Sequence, residues 1–304
     1  MPKDCVDLHC HSTASDGRLT PEQLVALAAS SGLQALALTD HDTVAGLESF
    51  TRAGKSAGLE TVPGVEISAR YERGTMHIVG LFIDSRSLEF RAFLKQLADG
   101  RRARNPQIVA KLCALGFPLT MEEVEADAGI QEQGAGGGAF DKSIGRPHIA
   151  AVLIQKGYVK DKQEAFDRYL AKGRPAYVSR FAATPAESIS QIHAAGGLAI
   201  LAHPAYLQAK NEAELETLVR GLKDARLDGI EVYYSTHTPE QTACCARLAQ
   251  KFGLAISGGS DFHGDDEGNR EGLSVQLGSG IAGSLNLPYA VLEDLKARRK
   301  KRSG

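Results

Sequence analysis

Short apolar runs alternate with helix-like segments along this chain, and this alternation restricts its fold more than any other feature. Seven runs have the composition of buried strands: VDLH (6–9), ALALTD (35–40), ETVPGVEIS (60–68), MHIVGLFI (76–83), LAILAHP (198–204), DGIEVYY (228–234) and LAISGGSD (254–261). The segments between them carry helix signals, as where Thr20 precedes Pro21 and an apolar pattern stops at Gly32. Strands that alternate with helices predict a mostly parallel sheet, so we expect an α/β fold.

The alternation is interrupted once, between the fourth and fifth runs. Residues 84–197 are too many for a single crossover, and they contain two helical patterns, QIVAKLCALG (107–116) and RPHIAAVLIQKG (146–157), on either side of the glycine-rich QEQGAGGGAF (131–140). Ahead of them, SLEFRAFLKQLADG predicts a helix with an apolar face formed by Leu88, Phe90, Phe93, Leu94 and Leu97. We therefore predict a barrel made of residues 1–85 and 179–304, with a helical cap inserted at 86–178.

The composition is that of a folded protein without a strong charge bias. The chain is 43% hydrophobic and 24% charged, with a formal net charge of −2, which excludes a general attraction to DNA or to an anionic membrane. The N-terminal MPKDCVDLH lacks the apolar segment of a signal peptide, and the five cysteines form no C-x-x-C pair. We expect a cytoplasmic protein with reduced thiols, and nothing in the sequence indicates an obligate protein partner.

Residue types that bind metals occur near the C-terminal ends of all the strand candidates except the one that contains Glu231. They are His9 and His11, Asp40 and His41, Glu66, His77, His203, and Asp261 with His263. In a parallel barrel these ends meet on one face, and the spacing of His9 and His11 places both imidazoles on one side of a strand, with Cys10 on the other. One histidine alone is usually structural, but a whole set at strand ends predicts a site for zinc, manganese or iron.

The order of these motifs resembles a known family. HxH, SDG, TDHD, PGVEIS, H-I-V-G, AHP and GSDFH are similar to the successive motifs of the polymerase and histidinol phosphatase (PHP) superfamily. The wording of SDG, TDHDT and GVEIS, together with a helical insertion, most resembles the branch of nucleoside-3′,5′-bisphosphate phosphatases and ribonuclease AM-like proteins. The resemblance implies a distorted (β/α)₇ TIM-like barrel that binds two or three divalent ions, Mn²⁺ in the first place, with Fe²⁺ and Zn²⁺ as alternatives.

Carried over by motif, the resemblance also implies a set of metal ligands. One ion would be held by His9, His11, Glu66 and Asp261, a second by Glu66, His77 and His203, and a third by Asp16, His41 and His263. Asp16 stands where the histidinol phosphatase branch commonly has histidine, and an oxygen ligand there favours manganese or iron. Asp40 and Asp42 either orient His41 or cap the following helix; the sequence leaves both open.

The activity implied by the resemblance is phosphoester hydrolysis. A hydroxide shared by the ions would attack the 3′-phosphate of a nucleoside 3′,5′-bisphosphate, with 5′-to-3′ trimming of short 5′-phosphorylated RNA as an extension. Glu66, His203 and Asp261 would serve the reacting centre, and His237 is a candidate proton donor. The alternatives are a histidinol-phosphate phosphatase and a non-catalytic, metal-stabilised accessory module.

Basic residues of the cap are candidates for binding the substrate. Arg146 and His148 in GRPHIA lie at the start of a predicted helix, where the helix dipole and a guanidinium can hold a phosphate that does not react. Lys172 and Arg174 in LAKGRPAY form a second basic pair near the return to the barrel. A solvated cationic surface is the competing interpretation of both pairs.

Overall fold

Seven strands lie side by side in their order along the chain and form a nearly closed barrel. The structure is a computed structural model, and it describes residues 4–129, 142–264, 275–281 and 283–303. The strands are β1 (Val6–Asp7), β2 (Ala35–Leu38), β3 (Glu60–Ala69), β4 (Met76–Leu81), β5 (Leu198–Leu201), β6 (Gly229–Tyr234) and β7 (Ala255–Gly259). The first and last strands adjoin, because the backbone N–H of Leu8 donates to the carbonyl oxygen of Gly258 at 3.2 Å. All seven strands predicted from the sequence are therefore confirmed.

The fourth strand runs against the others. β3 and β4 are antiparallel, as are β4 and β5, whereas all other neighbouring pairs are parallel. His77 is the second residue of β4, so the expectation that it lies near a C-terminal strand end is wrong. The reversal still brings it to the right place, because the start of an antiparallel strand lies beside the ends of its neighbours, with His77 paired in register with Ser68.

The described helices are α1 (Pro21–Ser30), α2 (Leu47–Ala57), α3 (Leu88–Ala114), α4 (Met121–Asp127), α5 (Arg146–Gln155), α6 (Lys162–Ala165), α7 (Pro185–Ala194), α8 (Glu212–Asp224), α9 (Pro239–Phe252) and α10 (Tyr289–Ser303), with a π-helix at Phe166–Leu170 and a 3₁₀ turn at Pro204–Leu207. Three barrel helices begin in the same way, with a threonine N-cap at Thr20, Thr184 or Thr238 and proline next. Each threonine oxygen accepts from the backbone N–H three residues on, and that residue's side chain accepts from the threonine N–H. No helix in the described part of the chain is long and apolar enough to cross a membrane.

Helix α3 joins the barrel to the insertion without a break. Phe90, Phe93, Leu94 and Leu97 of its first half belong to the apolar core between the barrel strands and their helices, as their predicted shared face requires. Leu88, which was expected on the same face, is instead 82% exposed at the start of the helix.

The second half of α3 belongs to the insertion. Its Ile108, Val109 and Leu112 pack into a separate apolar cluster whose other members come from residues 119–176. The sequence predicted a separate helix for QIVAKLCALG, but these residues continue α3 through Pro106. The predicted loop QEQGAGGGAF lies outside the described residues. The boundaries 86–178 stay a prediction, since the two apolar clusters divide within one helix.

Candidate active site

All nine predicted metal ligands lie together at one end of the barrel. Potential ligand atoms within 4.8 Å of one another form three groups: His9, His11, Glu66 and Asp261; His41, Glu66 and His77; and His11, Asp16, His41 and His263. His203 lies outside these groups as defined, but its Nε2 is 2.8 Å from Glu66 Oε1. These groups differ from the predicted ligand sets in that His11 and His41 each belong to two groups instead of one.

Glu66 lies at the centre of this cluster and is 1% exposed. Its Oε1 is 2.7 Å from His77 Nδ1, whereas its Oε2 is 2.9 Å from His41 Nδ1 and 3.3 Å from His11 Nε2. The two carboxylate oxygens thus face different imidazoles, which is the arrangement required of a carboxylate that bridges two cations.

Two buried atoms at the centre of the cluster, Glu66 Oε2 and His41 Nδ1, indicate that a cation fits there. Within the described part of the chain, the buried Glu66 Oε2 and His41 Nδ1 have no hydrogen-bond partner, although they lie 2.9 Å apart. Buried polar atoms left in this state are costly, and a divalent cation bound by both would satisfy them. The donor set of imidazoles and carboxylates, without thiolates, suits such an ion.

The electrostatics of the cluster lead to the same conclusion. Burial by itself raises the pKa of Glu66 and Asp261, but the surrounding imidazoles lower both well below the usual range, so both are carboxylates at neutral pH. Burial lowers the pKa of His11, but the adjacent carboxylates of Asp261 and Glu66 outweigh it and raise this pKa to about 10. A metal ion must therefore compete with a proton for this imidazole.

Two of the ligands have an unusual backbone conformation. His203 follows β5 with φ of 29°, and Asp261 follows β7 with φ of 56°. Residues other than glycine rarely adopt this left-handed backbone conformation. Such strain is typical of functional sites, where the surrounding structure holds the backbone in place. Gly259, two residues before Asp261, approaches His9 so closely that a Cβ there would lie 2.4 Å from His9 Cβ. The glycine of the GSD motif is needed for this contact.

The sequence analysis did not identify Glu231, which supports the ligands from behind. Its Oε1 lies 2.7 Å from His9 Nδ1, and its Oε2 accepts from the backbone N–H of His203 at 2.6 Å. The carboxylate is 1% exposed in the middle of β6. An acidic residue inside the apolar run DGIEVYY was the signal that could have revealed it, since a charge buried in a strand needs partners.

Asp40 and Asp42 have roles that neither sequence interpretation described. Asp40 accepts from Ser12 N at 2.8 Å and from Ser12 Oγ at 2.6 Å, so it fixes the loop that leads to Asp16. The helix-capping interpretation is wrong, because α2 begins several residues later, behind Gly46. Asp42 Oδ2 accepts from Arg101 Nε at 2.8 Å and from Arg180 Nη2 at 3.1 Å.

The candidate proton donor, His237, lies beside the ligand cluster. Its Nδ1 is 3.1 Å from the carbonyl oxygen of Val232, and its ring centroid is 5.3 Å from that of Tyr234. The Tyr234 ring lies 5.5 Å from the His203 ring, and its hydroxyl donates to Asp261 Oδ2 at 2.7 Å. Tyr234 therefore connects His237 to two metal-ligand candidates.

The predicted substrate-binding residues differ in their surroundings. His148 is buried, and its Nδ1 accepts from the N–H of Gly145 at 3.1 Å while the ring also bonds to the backbone of Ser15. Arg146 Nη1 donates to the carbonyl oxygen of Leu170 at 3.0 Å, and its guanidinium lies over the rings of Phe166 and Tyr177.

The second basic pair is on the surface. Lys172 and Arg174 are both exposed, and Lys172 Nζ donates to the carbonyl oxygen of Glu72. His148 thus joins the insertion to the loop that carries Asp16, whereas Lys172 and Arg174 face solvent.

Comparison with known proteins assigns the family. A family model described as the PHP domain matches residues 7–265. The chain belongs to the PHP family. The relationship suggested by the motifs is thereby confirmed, as are the α/β barrel and the prediction of an enzyme that hydrolyses phosphate esters.

Several PHP proteins resemble this chain over most of its length. A 5′-3′ exoribonuclease of Haemophilus influenzae is 39% identical over 84% of this chain and 89% of its own length. A 3′,5′-nucleoside bisphosphate phosphatase of Chromobacterium violaceum is 36% identical over 88% of this chain and 90% of its own. The crystal structure of a candidate metal-dependent phosphoesterase from Bifidobacterium adolescentis is 28% identical, covers 98% of this chain and 97% of its own, and superposes with a TM-score of 0.82. The histidinol phosphatase alternative is not favoured by these relatives.

Proposed function

We propose that this PHP protein removes the 3′-phosphate of nucleoside 3′,5′-bisphosphates and also trims short 5′-phosphorylated RNA in the 5′-to-3′ direction. The observation that carries the proposal is the position of Glu66, whose two oxygens face separate groups of imidazoles. The names of the Haemophilus and Chromobacterium relatives support both halves of the activity. The two reactions are chemically close, because each cleaves a phosphate bond to a 3′ oxygen of a 5′-phosphorylated nucleotide.

We further propose Mn²⁺ as the ion, with Fe²⁺ and Zn²⁺ as alternatives, bound in two or three sites by the nine ligands. Bound divalent ions supply an activated water and neutralise the charge of the phosphate under attack. The third group contains the carboxylate of Asp16, whose Oδ1 is 3.4 Å from His263 Nε2. An oxygen donor beside two imidazoles suits manganese better than it suits a structural zinc site.

The protein's own residues prepare the centre for this chemistry. Glu66 and Asp261 stay ionised, and Tyr234 fixes the orientation of Asp261 through its hydroxyl. In our proposal, His237 gives a proton to the leaving oxygen as an imidazolium protonated at Nε2, because Nδ1–H faces the carbonyl oxygen of Val232; burial lowers the pKa of this histidine and opposes that form. His203 and Glu66, 2.8 Å apart, complete the reacting centre.

The insertion brings basic groups to the same end of the barrel. The backbone N–H of Ser143 donates to the carbonyl oxygen of Ala14 at 3.1 Å, and His148 bonds to the backbone of Ser15. Among the predicted binding residues, Arg146 and His148 thus belong to the part of the insertion nearest Asp16. Lys172 and Arg174 are proposed only as outer contacts for an RNA backbone.

A substrate panel tests the proposal. Manganese-loaded protein is assayed with adenosine 3′,5′-bisphosphate, histidinol phosphate and a 5′-phosphorylated trinucleotide, and the products are separated. We expect phosphate and adenosine 5′-monophosphate from the first substrate, mononucleotides from the third, and little turnover of the second. Faster hydrolysis of histidinol phosphate would overturn the substrate assignment. No turnover of any phosphate ester would instead favour the accessory-module alternative.

A further inference from the structure

The loop that carries Asp16 is held from two sides. The barrel holds its base, where Asp40 accepts from the backbone N–H and the hydroxyl of Ser12, and the N–H of Gly17 donates to the Ser12 carbonyl oxygen at 2.9 Å. The insertion covers its tip, residues 14 and 15, which are 6% and 3% exposed. Asp16 follows the tip directly, so both supports determine where its carboxylate lies.

Two hydrogen bonds connect the insertion to this tip. The backbone N–H of Ser143 donates to the carbonyl oxygen of Ala14 at 3.1 Å, and the ring of His148 bonds to the backbone of Ser15. His148 is the third residue of α5 and is 7% exposed. The second bond therefore joins α5 to the residue immediately before a metal-ligand candidate.

Both ring nitrogens of His148 are used by backbone groups. Nδ1 accepts from the N–H of Gly145 at 3.1 Å, so the proton of the neutral ring is on Nε2, which donates to the carbonyl oxygen of Ser15. Burial lowers the pKa of His148, which favours this neutral form. A ring bound in this way offers no N–H to a phosphate, and it is suited instead to hold two parts of the chain together.

Ser15 is the residue at which the two supports of the loop meet. Its hydroxyl donates to Asp40 Oδ1 at 2.5 Å, on the barrel side, and its carbonyl oxygen accepts from His148, on the insertion side. The next residue, Asp16, has Oδ1 3.4 Å from His263 Nε2 and Oδ2 3.9 Å from His41 Nε2. A displacement of Ser15 would therefore change how Asp16 faces these two imidazoles.

We propose that His148 is a positioning residue for the third metal ion, and that it makes binding of this ion depend on how α5 is docked. The inference rests on the third ion of the proposed function. Loss of the bond would leave the buried carbonyl oxygen of Ser15 without this partner and would let the tip of the loop move. Asp16 would then adopt the geometry that an ion needs less often, so the insertion controls the metal content of the barrel.

Two substitutions separate the bond to Ser15 from the start of the helix. The amide of His148→Asn ends at the position of Nδ1, so it can accept from Gly145 but cannot reach Ser15, whereas the longer His148→Gln can reach both. We expect the Mn²⁺-binding step that Asp16→Ala removes to weaken about 5- to 10-fold in His148→Asn, the usual effect of losing one buried hydrogen bond. It should stay within about 2-fold of the wild type in His148→Gln.

Electron paramagnetic resonance of free Mn²⁺ during a titration measures each binding step. Gln155→Asn, an exposed change in the last turn of α5, is the matched control and should bind all ions as the wild type does. The other ions should be unaffected in both His148 variants. Equal weakening of every ion, equal effects of the two His148 variants, no effect of His148→Asn, or no step that Asp16→Ala removes would overturn the proposal.

Reciprocity provides a second test, which needs no catalysis. If the ion at Asp16 and the docking of α5 are coupled, the ion must stabilise the docked helix by the same factor. Hydrogen–deuterium exchange of the α5 backbone should therefore slow about 5- to 10-fold when Mn²⁺ fills the Asp16 group of the wild type, and should slow less in Asp16→Ala and in His148→Asn. An equal effect of Mn²⁺ in all three proteins would overturn the coupling.

These measurements also separate this inference from the proposed function. If the third ion depends on His148 in a protein that hydrolyses neither bisphosphate nor RNA, the proposed function fails and the positioning role stands. If the substrate panel gives the expected products but His148→Asn binds Mn²⁺ as the wild type does, the function stands and the positioning role fails. Thermal unfolding shows whether each variant is folded. The comparison of wild type with Asp16→Ala leaves His148 unchanged, so it tests the coupling even if His148→Asn does not fold.

Discussion

The Nδ1 atom of His9 lies 2.7 Å from Glu231 Oε1, and this contact decides which ring nitrogen of His9 faces the other metal ligands. A proton on Nδ1 is donated to the carboxylate, so the lone pair is on Nε2, which lies 3.4 Å from Asp261 Oδ1. The second oxygen of Glu231 fixes the backbone at His203. One buried carboxylate thus positions two ligands on different strands, as expected of groups that orient metal-binding histidines.

Glu231→Gln should lower the metal affinity by about 10- to 100-fold and lower the rate at limiting manganese. Both partners of Glu231 donate hydrogen bonds, and an amide can accept from only one of them without turning its own N–H₂ toward the other. Competition with a chromophoric chelator measures the affinity. Glu293→Gln, an exposed change on α10, is the control. Unchanged metal affinity in Glu231→Gln would show that His9 is oriented by other contacts.

Glu66→Gln should abolish turnover and leave the fold largely intact. A neutral amide is a poor bridge between two cations, and it cannot balance the imidazoles that surround this position. Elemental analysis should show that bound metal falls together with the rate, while circular dichroism stays close to that of the wild type. Near-normal activity would exclude a centre in which Glu66 joins two ions.

Asp16→Ala should reduce total metal less than His9→Ala does, but should still lower the rate markedly. Asp16 occurs only in the group with His41 and His263, whereas His9 belongs to the group that contains Glu66. The expected ion at Asp16 is peripheral and helps to neutralise the phosphate. Metal content and initial rates at limiting manganese measure both effects. If Asp16→Ala equals the wild type there, the enzyme uses two ions.

Asp42 should make the protein less stable in acid. Burial raises the pKa of this carboxyl, but Arg101 and Arg180 outweigh it and lower the pKa from 3.8 to about 2. A carboxyl with a lowered pKa in the folded state stabilises the protein above its unfolded pKa, here by about 2 kcal/mol, and this stabilisation is lost as the pH falls through the folded pKa.

Urea unfolding of metal-free protein measures the effect. The difference in unfolding free energy between wild type and Asp42→Asn should be constant above about pH 5 and should shrink by roughly 1 kcal/mol at about pH 3. The comparison of the two proteins cancels the other carboxyls, which titrate in both. A difference that does not change with pH would show that the arginines leave this pKa unaltered.

The strands and ligand candidates could be predicted because their signals are local. Each strand run is a continuous apolar segment, and each ligand candidate lies next to one. The direction of β4 also had a local signal, which was missed: only residues 70–75 separate β3 from β4, too few for the crossover that parallel strands need. Helix α3 was predicted as two helices, at 87–100 and 107–116, whereas one helix continues through Pro106, a residue type that usually ends a helix.

The contacts of Arg101, Arg104 and Arg180 had no local signal in the sequence. Asp42 pairs with residues 59 and 138 positions away, and the sequence around Arg104 resembles an ordinary exposed basic run. Only the fold shows that Arg104 is buried and that, within the residues the structure describes, its guanidinium bonds to the Asn105 amide and not to a carboxylate. Glu231 is an intermediate case, since its sequence context marks it as unusual but does not reveal that His9 and His203 are its partners.

Helix α3 has a consequence for how this family diversifies. It begins in the apolar core of the barrel and ends in that of the insertion, so Arg101 and Arg104 occupy positions set by the barrel. Mutations and length changes in the outer helices can therefore accumulate without moving these arginines relative to Asp42. The shape of the insertion and the positive charge beside Asp42 can therefore change independently of each other.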